Sequence, residues 1–231
     1  MSDLVVYGSP LSPFVRKVEI LLREKGLDFE SENVNVIGMP DWFAEISPAR
    51  RIPVLRDRSI GAEGVAGTIP DSSAICAFLE RKAPKPAFYP DAAYDLGRAL
   101  WFEEFADSEL AGLTGGGIFR PLIFPRFQGK ESDVDTARAT FNEKLPPKLD
   151  YLEQSLDGRD YLIGDGPTIG DVAVVCVLSQ IDVVAGMPDP KRWPGVAAHY
   201  KRISERPSMA ANLATCAKML ARALPEKFDL S

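Results

Sequence analysis

The sequence predicts an α/β unit followed by an all-helical one, and three observations carry that expectation. Short apolar runs alternate with helical patterns over residues 1–83. A proline-punctuated stretch, Lys82-Ala83-Pro84-Lys85-Pro86-Ala87-Phe88-Tyr89-Pro90, is then too stiff and irregular to continue a helix. Beyond it the apolar residues recur at helical spacing only. The expected division is 1–83 for the first unit, 84–90 for the connector and 91–231 for the helical unit.

The elements follow in order. Leu4-Val5-Val6-Tyr7 is an apolar run of strand type, and a helix opens just after Ser12. Ser12 is a natural N-cap, and Pro13 at the first helical position has a preset φ and no N–H to leave unpaired. Phe14, Val18, Leu21 and Leu22 form one helical face, and Gly26 is placed to end the helix as its C′ residue. Asn33-Val34-Asn35-Val36 is expected as a second strand, making a right-handed βαβ start with a parallel pair. Gly38 to Ser47 reads as a loop. Ile52-Pro53-Val54-Leu55-Arg56-Asp57 is a strand with a proline near its start, which fits an edge or a cis peptide in a tight turn. Ser59 to Ile69 is expected to return as an antiparallel strand with a loop. Asp71 or Ser72 then caps a third helix.

In the second half, one long helix is expected from Asp91 to about Leu113, ended by Gly115-Gly116-Gly117. An aromatic stretch from Ile118 to Phe127 is broken by Pro121 and Pro125. A second long helix spans about Ser132 to Leu156, with Pro146-Pro147 implying a kink or local break. Thr168-Ile169-Gly170-Asp171 is a capping pattern ahead of the apolar helix Val172–Ala185. Two shorter helices, about Gly195–Glu205 and Pro207–Leu224, close the chain.

Composition narrows the function classes. The 231 residues carry a net charge of −6 and 26% charged residues, so no global basic field exists to hold nucleic acid or an anionic membrane. Met1-Ser2-Asp3 opens without a secretory pattern, and the most apolar window is too short and too interrupted to span a bilayer, so a cytoplasmic protein is expected. Cys76, Cys176 and Cys216 lie far apart without metal-ligand spacing and read as reduced structural thiols. His199 is the only histidine, which argues against a histidine-based triad or zinc site and marks it as structural.

The chemistry-bearing stretch is Ser12-Pro13-Phe14-Val15-Arg16-Lys17-Val18. A hydroxyl stands where a strand hands over to a helix N-terminus, a place whose orphan N–H groups and positive dipole end favour an anion. Taken alone, this is a helix cap. Two further stretches accompany it, Ser47-Pro48-Ala49-Arg50-Arg51-Ile52-Pro53-Val54-Leu55 and Asp71-Ser72-Ser73-Ala74-Ile75. Together with the Thr168–Asp171 capping pattern, and in this order, they resemble the cytosolic glutathione S-transferase family, in particular its serine-type classes. The resemblance covers the whole chain. It implies a thioredoxin-like N-terminal domain and an all-α C-terminal helical bundle.

The resemblance also assigns roles. Glutathione is the implied co-substrate, with no metal. Its thiol has a pKa near 8.5, so only a few per cent is thiolate at neutral pH. Ser12 would donate to the sulfur and favour the anion without being a nucleophile itself, and Arg16 is a candidate for added positive potential, or else a solvated surface residue. Ile52 and Pro53 would pair with the cysteinyl backbone like an added strand. Ser72 and the N–H groups opening the third helix would hold the γ-glutamyl carboxylate, and Asp71 the ammonium. Arg51 is the candidate for the glycyl carboxylate, and Asp107 resembles an acid that reaches a neighbouring subunit's ligand. Leu11, Phe119, Phe124 and Phe127 are candidates for a pocket holding a hydrophobic electrophile between the domains. Asp71 and Arg51 depart from the usual Glu and Lys of the pattern. Tyr7 fits the strand as core and ranks below Ser12, and Ser9 is a minor candidate. The family implies a homodimer, with Trp42 or Phe43 as its anchoring aromatic. Other glutathione-dependent reactions (peroxidase, isomerase, dehalogenase, ether cleavage) and a non-catalytic scaffold on the same fold are the alternatives. Disulfide exchange through an enzyme thiol is disfavoured, because serine stands where such proteins carry cysteine.

Overall fold

The structure, a computed structural model, describes residues 2–35 and 38–231. It divides into two compact units, Met1–Phe88 and Tyr89–Ser231.

The first unit is built on a four-stranded sheet in the order β2-β1-β3-β4. Strand β1 (Leu4–Tyr7) is buried along its length and pairs parallel to β2 (Phe29–Glu32) and antiparallel to β3 (Val54–Asp57). Strand β4 (Thr68–Pro70) completes the edge antiparallel to β3. Helix α1 (Pro13–Glu24) links β1 to β2, a single helical turn α2 (Phe43–Ile46) precedes β3, and α3 (Ser72–Lys82) follows β4. α1 begins on Ser12 and Pro13 as expected. It ends in a Schellman motif, with Gly26 at φ 63° and the N–H of Leu27 on the Leu22 carbonyl.

Two expectations shift here. The second strand is Phe29–Glu32 and not Asn33–Val36; Val36 lies outside the described residues. The alternating valines suggested a strand, yet an edge strand needs only its backbone ladder, so Phe-Glu-Ser-Glu serves once its register against β1 is set. Val34 instead enters the core with Val5, Tyr7, Phe43, Ile46 and Val54. The expected loop 38–47 contains α2, whose Phe43 is fully buried in that same core.

The connector is fastened to the first unit. Buried Lys25 donates its ammonium to the carbonyls of Ala83 (2.7 Å) and Pro86 (2.9 Å) and pairs with Glu80 at 2.7 Å. Glu80 in turn accepts the N–H of Phe88, whose ring lies 5.6 Å from the Lys25 nitrogen.

In the second unit, α8 (Ile169–Asp182) is buried on all sides from Ile169 to Ile181. α4 (Ala93–Glu104) crosses it closely at Gly170, where a Cβ would stand 2.8 Å from the Cβ of Phe102. Helicity does not stop at the triple glycine. The chain continues through π-helical segments Phe105–Leu110 and Gly112–Phe119 into α5 (Arg120–Phe127). Their i→i+5 bonds include Ala111 N–H to Ala106 and Arg120 N–H to Gly115. Tertiary burial of Ile118, Phe119, Leu122 and Ile123 overrides the low helix propensity of glycine.

The second expected long helix, Ser132–Leu156, is α6 (Val134–Ala139), a π turn (Thr140–Lys144) and α7 (Pro146–Leu156). The wide turn sends the Leu145 N–H to the Thr140 carbonyl and delivers Pro146 to the first position of α7, where no N–H is needed. α9 (Pro194–Ser204) and α10 (Pro207–Leu220) follow, the latter shorter than the expected run to Leu224.

Candidate functional site

Strand register brings the first unit's candidates to one end of the sheet. Tyr7, the last residue of β1, stands opposite Val54, the first of β3, and Val54 stands opposite Pro70, the last of β4. The segments just beyond these residues therefore emerge together: Gly8 to Ser12, Ile52-Pro53, and Asp71-Ser72. Gly8 makes the approach close. A Cβ there would lie 2.4 Å from Val15 of α1 and 3.4 Å from the Cβ of Ile52. α1 and α3 are tied at their starts by the Lys17 ammonium, which donates to the Ser73 hydroxyl at 3.1 Å.

Ser12 is the N-cap of α1, half-buried, with extended φ −75° and ψ 129°. Its hydroxyl oxygen accepts the Val15 N–H at 3.4 Å, a weak cap that leaves the hydroxyl proton available to a further acceptor. Ile52 lies outside the ladder, and the Ile52–Pro53 peptide is cis. Pro53 is buried and Arg51 exposed.

Asp71 is the N-cap of α3. One of its carboxylate oxygens accepts the N–H groups of Ser73 (2.9 Å) and Ala74 (3.0 Å). Its φ of 155° is a conformation that L side chains rarely adopt. Ser72, next in the chain, is 5% exposed at the first position of α3. The two therefore divide the work that the sequence left open: Asp71 caps the helix, and Ser72 stands inside its first turn.

Two cations of α1 are buried. Sequence reasoning left Arg16 between a charge near the site and a solvated surface residue; it is fully buried, and a terminal nitrogen donates to the Pro10 carbonyl at 3.4 Å. Lys17, unremarked from sequence, is 1% exposed. No periodic signal marks either residue, because adjacent charges on a helix look like a solvated face.

Tyr7 is 8% exposed and belongs to the core; its hydroxyl faces the Arg56 guanidinium at 3.4 Å. Leu11 is half-buried. In the second unit, Asp107 sits half-buried in the first π segment, while Phe119 is 5% exposed and meets Phe124 edge-to-face at 6.5 Å. Phe119 is thus a packed side chain within its own unit, and Phe127 is exposed. Of the two aromatics expected as candidates for a dimer anchor, Phe43 is spent in the core, whereas Trp42 stands 52% exposed.

Two family models match this chain. The model of the glutathione S-transferase N-terminal domain matches residues 6–87, and that of the C-terminal domain matches residues 119–215. The uncharacterized GST-like protein YibF of Escherichia coli K12 is 32% identical over 176 residues, 76% of this chain and 80% of its own length. The chain belongs to the glutathione S-transferase family. Glutathione S-transferase D6 of Drosophila melanogaster is 28% identical over 96% of this chain and 99% of its own. The crystal structure of a glutathione S-transferase from Rhodospirillum rubrum F11 superposes with a TM-score of 0.75 at 27% identity, covering 90% of this chain and 91% of that one. The family fold is the expected one, a thioredoxin-like N-terminal domain with a helical C-terminal domain, and its co-substrate is glutathione. Among the described residues, no group of three His, Cys, Asp or Glu side chains stands together to hold a metal ion, and no helix is long and apolar enough to cross a membrane.

Proposed function

We propose that this transferase-family protein binds glutathione at the sheet end that gathers Ser12, Ile52 and Asp71, and activates its thiol for attack on a hydrophobic electrophile. The observation that carries the reading is the underused cap at Ser12: among the described residues its oxygen accepts one long bond and its hydroxyl donates none. A sulfur beside that hydroxyl also meets the positive end of α1, and Arg16 puts a buried cation one turn further in. Each effect favours the thiolate. Lowering the thiol pKa by one unit from about 8.5 stabilises the anion by about 1.4 kcal/mol and raises its population nearly tenfold at neutral pH.

The rest of the tripeptide has matching partners. Backbone groups of Ile52, outside the ladder, suit the cysteinyl moiety, with Pro53 setting the turn. Ser72 and the first N–H groups of α3 suit the γ-glutamyl carboxylate. Asp71 retains one carboxylate oxygen beyond its two cap bonds for the ammonium, and exposed Arg51 suits the glycyl carboxylate. On the first unit, Leu11 is the candidate for contact with the electrophile. The protein is proposed to act in the cytoplasm as a homodimer, with Trp42 as an anchoring aromatic, and Asp107 is the candidate acid toward the neighbouring subunit's ligand.

The thiolate absorbance of bound glutathione, followed against pH in the native protein and in Ser12→Ala, tests the role of Ser12. The expected result is an apparent thiol pKa raised by about one unit or more in the variant. Binding of glutathione with an unshifted thiol in both proteins would instead favour the non-catalytic scaffold. A turnover screen across halides, epoxides, aryl ethers, isothiocyanates and hydroperoxides then separates transferase from peroxidase or lyase chemistry.

A further inference from the structure

A groove of about 590 Å³ opens on the second unit, between the turn joining α5 to α6 and the chain beyond α10. It is lined by Arg126, Lys130 and Arg222, with Glu131 as its one carboxylate and Ser132 and Phe228 beside them. Neighbouring cations are neutralised: Arg138 pairs with Asp135 and Lys227 with Asp182. Among the described residues, Arg126, Lys130 and Arg222 form no ion pair.

The fold holds the Arg126 guanidinium and the backbone of Lys130 in place. The Arg126 guanidinium donates from Nε to the Ser132 hydroxyl at 2.9 Å and from Nη1 to the Ala223 carbonyl at 3.2 Å. It also stacks 5.0 Å from the Phe228 ring, while its Nη2 makes no hydrogen bond among the described residues. Ser132 is itself anchored by donating to the Leu122 carbonyl at 2.6 Å. The backbone of Lys130 is set by a Schellman motif: its N–H reaches the Pro125 carbonyl at 2.9 Å, and Gly129 takes φ 71°.

We propose that this groove binds a small organic phosphate monoester. Three cations against one carboxylate leave two positive charges, matching a phosphate monoester that is largely dianionic at pH 7 and above. A fixed arginine fork with a spare N–H and a lysine point charge suit phosphate oxygens. The volume exceeds the needs of a bare ion, and Phe228 and Val134 provide an apolar wall for an aryl or alkyl body.

The test is titration of the ¹⁵N-labelled full-length protein with phenyl phosphate, with phenol and inorganic phosphate as controls. Saturable amide shifts are expected over residues 129–134 and 221–228, weakening at least fivefold in Lys130→Gln and in Arg222→Gln, and weakening with added salt. Phenol should give no such shifts, and inorganic phosphate should bind more weakly. The proposal is overturned if no saturable shifts occur there, if both variants bind as the native protein does, or if inorganic phosphate binds as tightly as the ester. Both substituted side chains are exposed and lie outside the first unit, so glutathione binding serves as the control for folding.

Discussion

Helix α1 opens on Ser12 and helix α8 on Thr168, hydroxyl residues at the same position of the same local motif. Around Thr168 the capping groups are all used: its N–H, its hydroxyl and both Asp171 oxygens. Asp171 takes the Thr168 N–H and hydroxyl on one carboxylate oxygen, at 2.7 Å each, and the Leu162 N–H and the His199 ring nitrogen on the other, at 2.8 Å each. Asp171 is fully buried and His199 is 1% exposed. At Ser12 the hydroxyl oxygen accepts, among the described residues, only the long bond from the Val15 N–H, and the residue is half-buried. A saturated cap stabilises a core; an unsaturated one keeps capacity for a ligand.

Substitutions at the two caps should therefore diverge. The largest effect belongs to Asp171→Ala, which strands a buried backbone N–H at Leu162, another at Thr168, and the His199 ring. Urea denaturation should show a loss of about 3–5 kcal/mol, or a chain that does not fold. A loss under about 1 kcal/mol would erase the contrast. Ser12→Ala should cost less than about 1 kcal/mol of stability, because its cap bond is weak, while the turnover rate near pH 7 falls about ten- to a hundredfold. Equal losses of stability at both caps would return Ser12 to the role of a structural cap.

Asp71 lies between these extremes, since it caps α3 and is proposed to bind ligand. Asp71→Asn keeps an oxygen for the Ser73 and Ala74 N–H groups and removes the charge. Unfolding free energy should change by about 0.5 kcal/mol or less, and the KM for glutathione should rise several-fold with kcat little changed. A large fall in stability with unaltered KM would place Asp71 with Asp171.

The smallest effect concerns acid. Burial pushes the Asp57 carboxyl upward, but its hydrogen bonds to Lys82 and Ser59 outweigh this and hold its pKa below the ordinary range. A depressed carboxylate pKa contributes stability above the unfolded value of about 3.9 and loses it as pH falls toward the folded value. The pH dependence of urea stability below about pH 4 should therefore flatten in Asp57→Asn. Parallel curves for the native and variant proteins would show that the pairing carries no such linkage.

Much of this is legible in the sequence. The cap at Ser12, the Gly26 stop and the Thr168–Asp171 box are local signals whose physics acts within a few residues, and each is realised as read. What misled was tertiary. Glycines 115–117 looked like a stop because propensity favours one, yet the buried face of Ile118 and Leu122 carries the helix onward, and Gly117 lies where a Cβ would collide with Thr140 at 2.6 Å. Strand β2 was misplaced because an edge strand can be polar when its partner sets the register. Buried Arg16 and Lys17 had no signature, since a charged pair on a helix is ordinarily solvated. Within the site, Ser72 and Asp71 could each have been the cap; only the hydrogen bonds distribute the two tasks.

The knot around Lys25 has a practical side for anyone wishing to study the first unit in isolation. Cutting at residue 83, where composition changes, would remove the Pro86 carbonyl and the Phe88 ring and leave a buried ammonium facing solvent-exposed gaps. Cutting after Phe88 keeps every one of those partners. The portable module is longer than the composition suggests, and its last residues are the latch that holds the cut end shut.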